Sequence, residues 1–244
     1  MTAALPAAVS VQKQRRFHVA MALAIAFVVF AGFSRTFYLD GAFPDEKGPS
    51  EGVFVLHGVL FSCWPLLFIV QTVLVATGRT ALHRKLGVAG AALAVLMVVF
   101  GVHGSLVAAA RPSGFTGIPV PPAMFLMVPI ADIALFAWAA WRGIAARRDL
   151  QAHKRWLLLA SIMLIDAAIA RLPGVKGGNP FLFFGLTDLF LIPMVLHDRA
   201  TLGRVHRVTK LGGLVLIASQ PLRLIAMETS AWQAIANWAI DFVR

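Results

Sequence analysis

The sequence predicts an all-α integral membrane bundle of seven transmembrane helices, with the N-terminus inside and the C-terminus outside. Three observations predict it. The chain is 59% hydrophobic and only 14% charged, whereas a soluble domain is about 45–50% apolar and about 25% charged. Seven apolar stretches are long enough, or nearly so, to cross roughly 30 Å of hydrocarbon at about 1.5 Å per helical residue. Lys and Arg residues concentrate on every second connection between these stretches.

The predicted spans are continuous apolar runs, which exclude the alternating pattern of a transmembrane β-barrel. The first run is too long for the apolar part of a signal peptide, so we interpret it as an uncleaved anchor behind a cytoplasmic segment, residues 1–16. Residues 17–227 then form the transmembrane domain. The spans lie near residues 17–39, 53–77, 83–107, 120–141, 154–172, 180–197 and 207–227.

The tail, residues 228–244, is too short to cross a bilayer. Trp232, Ile235, Ala239 and Phe242 recur at helical spacing along it. This pattern predicts a short amphipathic helix that lies in the outer membrane interface.

The distribution of positive charge orients the chain. Basic residues accumulate on the cytoplasmic side of membrane proteins, so the predicted location is a bacterial inner membrane with the lipid bilayer as partner. The net charge of +11 is thereby explained without a nucleic-acid partner. The side predicted to be inside holds fifteen of the 22 Lys and Arg residues: Lys13, Arg15, Arg16, Arg79, Arg84, Lys85, Arg142, Arg147, Arg148, Lys154, Arg155, Arg199, Arg204, Arg207 and Lys210.

Several polar side chains fall within the predicted spans, where a charged or strongly polar group is costly. They are candidates for a buried polar network: Arg35, Gln71, Asp132, Asp166, Arg171, Asp188 and Arg223. One interpretation is that these residues pair and hold the bundle together. The other is that they line a polar cavity, a proton path or a clamp for an anionic group.

Four histidines are candidate ligands of a cofactor. His83 and His153 lie near the inner ends of the third and fifth spans, and His57 and His103 near the outer ends of the second and third. Imidazole is a good axial ligand of haem iron, and a bis-histidine site needs one inward-facing histidine on each of two helices at matching depth. His83 and His153 would then bind the iron. The alternative is that histidines at helix ends contact lipid headgroups.

The order of these residues resembles a family of uncharacterised bacterial multi-pass membrane proteins. The likeness covers roughly residues 53–172 and consists of His57 followed by Gln71, LHRKLG at 82–87, HKRW at 153–156 and then Arg171. This resemblance implies a class of membrane protein and no specific activity.

The layout also resembles the diheme transmembrane b-type cytochromes that take electrons from ascorbate or a quinol. That likeness implies haem b, with His57 in place of an outer ligand and His83 with His153 in place of the inner pair. The sequence departs from the pattern because the fourth span has no histidine.

Three functions stay open at this point. The first is a redox protein that binds haem b and exchanges electrons with a quinol, with Arg84, Lys85, Lys154 and Arg155 near the propionates. The second is a transporter or small-ligand-binding bundle built around the buried Asp and Arg residues. The third is a non-catalytic subunit of a larger membrane complex or of a homo-oligomer.

Overall fold

The computed structural model describes residues 7–46, 48–115, 118–175 and 179–244, and all secondary structure in these ranges is helical. The all-α prediction is confirmed for this part of the chain. The first six residues of the predicted N-terminal segment lie outside the described residues. The α-helices are α1 (Ala7–Phe33), α2 (Gly52–Ala76), α3 (Thr80–Ala110), α4 (Pro122–Phe125), α5 (Met127–Ala145), α6 (Leu150–Ile162), α7 (Asp166–Ile169), α8 (Pro180–Asp188), α9 (Leu191–Leu202), α10 (Arg207–Met227) and α11 (Ser230–Asp241).

Six helical segments of the described chain are long and apolar enough to cross a membrane. They coincide with six of the seven predicted stretches. Where a turn joins two helices, as between α4 and α5 or between α8 and α9, the two together make up one segment. The six are Gln12–Tyr38, Gly52–Ala76, Thr80–Ala110, Pro122–Ala145, Pro180–Leu202 and Arg207–Met227.

The remaining predicted stretch, 154–172, differs from the expected continuous helix. α6 ends at Ile162, a turn follows over 163–165, and α7 contributes one further turn of helix. This segment lies at the centre of the bundle: Leu158, Leu159 and Ile162 have no exposed surface. It packs against α5, α1 and α10, so neighbouring helices cover most of it.

The surface of the bundle exposes many large apolar side chains, and its mostly apolar interior also holds a few charged ones. Phe27 is 74% exposed and Val88 is 73% exposed, whereas Arg155 and Arg223 are only 2% and 3% exposed. Large exposed apolar surface is unfavourable in water and suits contact with lipid. The exposure pattern therefore agrees with the apolar segments in indicating a membrane-embedded bundle.

The C-terminal tail forms the predicted helix, α11, but presents a different face to the bundle. Ala236 and Ile240 are buried in a small core with Ala109 and Leu126. Ile235 and Phe242, which we assigned to one apolar face with Trp232, are 58% and 84% exposed. The difference arises because one side of α11 packs on the ends of α3 and α4. Trp232 lies on the packed side, where its Nε1–H donates to the Ala123 carbonyl oxygen at 2.9 Å.

Asp149 begins α6 as its N-cap, and its Oδ1 accepts from the N–H groups of Gln151 and Ala152, both at 3.1 Å. These bonds, chiefly the one from Ala152, lower the pKa of the carboxyl group. Asp149→Ala is expected to lower the free energy of unfolding by about 1 kcal/mol. The pKa of Asp149 is lower in the folded state than its ordinary value of about 4. Its stabilising contribution is therefore present in full above that pH and is lost as the pH falls through the folded-state pKa.

Thermal unfolding of wild type and Asp149→Ala in detergent, at neutral and acidic pH, measures this effect. Asp149→Asn is the control because asparagine also caps helices. A stability difference between wild type and Asp149→Ala that grows as the pH falls would contradict the assignment.

Candidate functional site

The starts of α1, α3, α6 and α10 lie at the same end of the bundle, which we call the basic end. Four contacts place them there, of which one joins α10 to the start of α6: Arg207 Nη2 lies 3.6 Å from Asp149 Oδ2. Arg15 in α1 donates to the carbonyl oxygen of Ala76 at the end of α2. Lys154 in α6 donates to Oε1 of Gln14 in α1 at 2.6 Å. The imidazole rings of His83 in α3 and His153 in α6 also meet at this end.

The ring centres of His83 and His153 are 6.2 Å apart, and the ring planes are nearly perpendicular at 87°. Two imidazoles that share one metal ion, each with a nitrogen about 2 Å from it, have ring centres roughly 6 Å apart. The spacing of this pair therefore allows a single metal ion between the two rings, and it is also the spacing of an ordinary edge-to-face ring contact. Both residues are half-buried.

The tautomer of His153 is fixed by the backbone. Its Nδ1 lies 2.8 Å from the carbonyl oxygen of Gly143, near the end of α5. A carbonyl oxygen only accepts, so Nδ1 carries the hydrogen and Nε2 keeps its lone pair. This is the arrangement found in metal-ligating histidines, whose second nitrogen donates to a neighbouring acceptor.

Gln71 of α2 lies against Nδ1 of His83. With the amide nitrogen toward the ring, it donates to Nδ1 at 2.6 Å while the amide oxygen accepts from the Gly87 N–H at 3.0 Å. In this orientation Nδ1 of His83 accepts, so the hydrogen of the neutral ring is on Nε2. Ligation of a metal through Nε2 would require the Gln71 amide to be reversed, which gives up the bond from the Gly87 N–H. The residue pattern therefore includes one local hydrogen-bonded group, which is formed by Gln71, His83 and Gly87.

The four basic residues that we predicted near haem propionates differ in what they contact: Lys154 donates to Gln14, and the other three divide into two kinds. Arg84 and Lys85 are exposed beside His83 and are free to approach an anionic group. Arg155 is a correction, because its side chain points into the protein and binds Asp198. Its guanidinium is therefore unable to reach a propionate beside His153.

The Arg155–Asp198 ion pair is the main feature that sequence reasoning missed. Both side chains are 2% exposed, and Arg155 Nε donates to Asp198 Oδ1 at 2.8 Å. Asp198 Oδ2 accepts from the His206 N–H at 3.0 Å and from Thr209 Oγ1 at 2.6 Å. The pair ties α6, α9 and α10 together at the basic end. The one available signal was an aspartate at the end of an apolar span, at position 198.

The two histidines predicted near the opposite end do not face one another. His57 is half-buried and its ring stacks on Phe61, with ring centres 4.0 Å apart. The surface of α3 that faces it carries Gly104, whose added Cβ would lie 3.4 Å from His57 Nδ1. His103, one residue earlier, is exposed. A step of one residue rotates the side chain by about 100° around a helix, which separates His103 from His57.

Three of the predicted polar residues come together in the interior as a cluster that we call the buried triad: Asp132 of α5, Asp166 of α7 and Arg223 of α10. Arg223 Nη1 donates to Asp132 Oδ1 and lies 3.6 Å from Asp166 Oδ2. Its other nitrogens are also engaged, since Nε donates to the Ser219 carbonyl oxygen at 3.4 Å and Nη2 to Ser219 Oγ at 3.0 Å.

The other predicted network residues lie around or away from the triad. Asp188 is half-buried and accepts from Gln220 Nε2 at 2.8 Å. Arg35 pairs with Glu46 at 2.8 Å with its side chain 43% exposed. Arg171 donates to the Ala167 carbonyl oxygen at 2.6 Å. The predicted network therefore separates into the buried triad, the Gln71–His83 group and isolated pairs near the helix ends.

Comparison with known proteins gives no match for this chain among family models, curated proteins or solved structures. The two resemblances drawn from the residue pattern therefore stay predictions, and the functional argument depends on the geometry of the chain itself.

Proposed function

We propose that this chain is a multi-pass inner-membrane redox protein that binds one haem b between His83 and His153 and exchanges electrons with a quinol. The observation that carries the proposal is the spacing of 6.2 Å between the two ring centres, which would let the two rings hold one iron between them. Haem would supply one-electron chemistry at the basic end of the bundle.

Each residue around the pair has a defined task in this proposal. His83 and His153 would hold the iron through Nε2, which for His83 requires the Gln71 amide oxygen to face Nδ1. The Gly143 carbonyl oxygen orients the ring of His153, and Gln71 orients the ring of His83. Arg84 and Lys85 provide positive charge for the propionates. A quinol is the preferred electron partner because its lipid-soluble ring can reach half-buried groups at the end of apolar helices.

The proposal includes seven crossings, with the N-terminus in the cytoplasm and the C-terminus outside. The interrupted segment α6–α7 would be the additional crossing, covered by the other helices. The contacts between the starts of α1, α3, α6 and α10 support this topology. When successive helices cross in alternating directions, the first, third, fifth and seventh all begin on the same side of the membrane. The basic end would then face the cytoplasm.

An optical spectrum tests the function directly. The protein would be produced with haem supply, purified in mild detergent and recorded before and after dithionite reduction, with iron quantified on the same sample. We expect a Soret band, and an α-band that sharpens on reduction, in wild type. His83→Ala and His153→Ala are each expected to lose these bands and the bound iron.

His103→Ala is the matched control, because His103 is an exposed histidine of the same helix as His83. It should keep both bands and the iron content of wild type. A colourless wild-type protein without iron would overturn the haem proposal. Retention of the bands in both His83→Ala and His153→Ala would overturn the assignment of ligands.

A small-ligand site at the buried triad receives less support from the geometry. An anion clamp needs guanidinium hydrogens that are free to bind the ligand, and the Arg223 nitrogens already donate to Asp132 and Ser219.

A further inference from the structure

We propose that Asp132 and Asp166 form a proton-binding site inside the bundle, in which the two carboxyl groups hold one proton at neutral pH and Arg223 neutralises the remaining negative charge. This site is separate from the histidine pair, and its chemistry does not depend on a haem.

The charges of the buried triad do not balance when both carboxyl groups are ionised. Asp132 and Asp166 are 7% and 1% exposed, and Arg223 is 3% exposed. Two ionised carboxylates beside one guanidinium would leave a net negative charge buried in the bundle. Uncompensated charge in a low-dielectric interior is strongly unfavourable, and two carboxylates that share a site do not both ionise readily. One proton on the pair removes that imbalance.

The two carboxyl oxygens of Asp166 have different surroundings. Its Oδ1 accepts from Thr187 Oγ1. Within the described part of the chain, its Oδ2 is buried and accepts no hydrogen bond, although it lies 3.6 Å from Arg223 Nη1. Asp132 Oδ1 and Asp166 Oδ2 both lie against Arg223 Nη1, which brings the two carboxyl groups together. Ionised carboxylates only accept, so a bond between them requires a proton on one.

Polar and charged groups on the neighbouring helices surround the two carboxyl groups. Arg223 of α10 is the cation of the site and forms a direct ion pair with Asp132. Thr187 of α8 donates a hydrogen bond from its hydroxyl group to Asp166. Asp188 of α8 is the next carboxyl group along from Thr187, and it accepts its hydrogen bond from Gln220 instead.

Infrared spectroscopy of the protein in detergent tests the proposal, because a protonated carboxyl group has a C=O stretching band distinct from that of a carboxylate. Wild type at neutral pH is expected to show a protonated-carboxyl band that shifts to lower frequency in D₂O. Asp166→Asn and Asp132→Asn should each abolish it, since either variant leaves one carboxylate to pair with Arg223. Asparagine is a neutral isostere, and thermal unfolding verifies that each variant is folded.

Asp188→Asn is the matched control. Asp188 is hydrogen-bonded to Gln220, outside the shared pair, so its replacement should leave the band in place. Absence of a protonated-carboxyl band in wild type at neutral pH would overturn the proposal. A band that is lost in Asp188→Asn and kept in Asp166→Asn would also overturn it, because the proton would then belong to Asp188.

Discussion

Replacing Asp198 with alanine is expected to lower the free energy of unfolding by about 3–5 kcal/mol, because it leaves a buried guanidinium without its carboxylate. Arg155 and Asp198 are almost fully buried, with side chains 2% exposed. The variant would also remove the acceptor for the His206 N–H and for Thr209 Oγ1. Loss of this one side chain therefore affects three helices at the basic end.

Reversible unfolding in detergent by SDS titration measures the effect of Asp198→Ala. Asp241→Ala is the matched control, because Asp241 pairs with Arg244 at 3.0 Å while both side chains remain more than 60% exposed. An exposed pair contributes about 0–1 kcal/mol. Equal losses for Asp198→Ala and Asp241→Ala would show that the buried pair has no special importance.

A double replacement separates the charge from the contacts. Arg155→Met combined with Asp198→Leu removes both charges and keeps apolar volume. Replacing a buried ion pair by well-packed apolar residues is often neutral, so the double variant should recover part of the stability lost in Asp198→Ala. No recovery would mean that the hydrogen bonds of Asp198 to α10 dominate.

Gly32→Ala is expected to lower the free energy of unfolding by roughly 1–3 kcal/mol or more, because an added methyl group has no space between α1 and α7. A Cβ at position 32 would collide with the Ala168 carbonyl oxygen and would lie 2.6 Å from the Ala168 carbonyl carbon. These are backbone atoms that cannot turn aside, so the two helices must move apart. That movement would displace Asp166, which lies two residues before Ala168.

Gly185→Ala provides the comparison, because an added Cβ at position 185 of α8 meets no atom within 4 Å. Alanine in an open helical position is favoured over glycine by roughly 0.5–1 kcal/mol. We therefore expect Gly185→Ala to be neutral or slightly stabilising in thermal unfolding. A Gly32→Ala protein as stable as wild type would contradict the close packing of α1 on α7.

Much of the architecture could be predicted from local sequence. Crossing a bilayer requires about 20 apolar residues in a row, and that requirement is visible in a single stretch of chain such as 53–77 or 207–227. Residues 154–172 departed from the prediction because the apolar run does not show where a helix stops. Its turn at 163–165 adjoins Asp166, a residue that contributes to the triad.

The histidine pair could be anticipated for a similar reason. His83 and His153 each stand near the start of a span that follows a basic connection, so their matching depth follows from topology. His57 and His103 also have similar depth but point to different surfaces. Depth depends on position along the helix axis, whereas facing depends on the rotation of each helix about that axis.

The sequence by itself therefore determined the helical class, the positions of the apolar segments and the set of polar residues within them. Only the tertiary structure decided which charges pair: Arg223 with Asp132, 91 positions apart, and Arg155 with Asp198, 43 positions apart. The physical reason is that hydrophobic length is a local property of the chain. Ion pairing between helices depends on helix order, rotation and close contacts such as the one at Gly32, which are set by packing of the whole bundle.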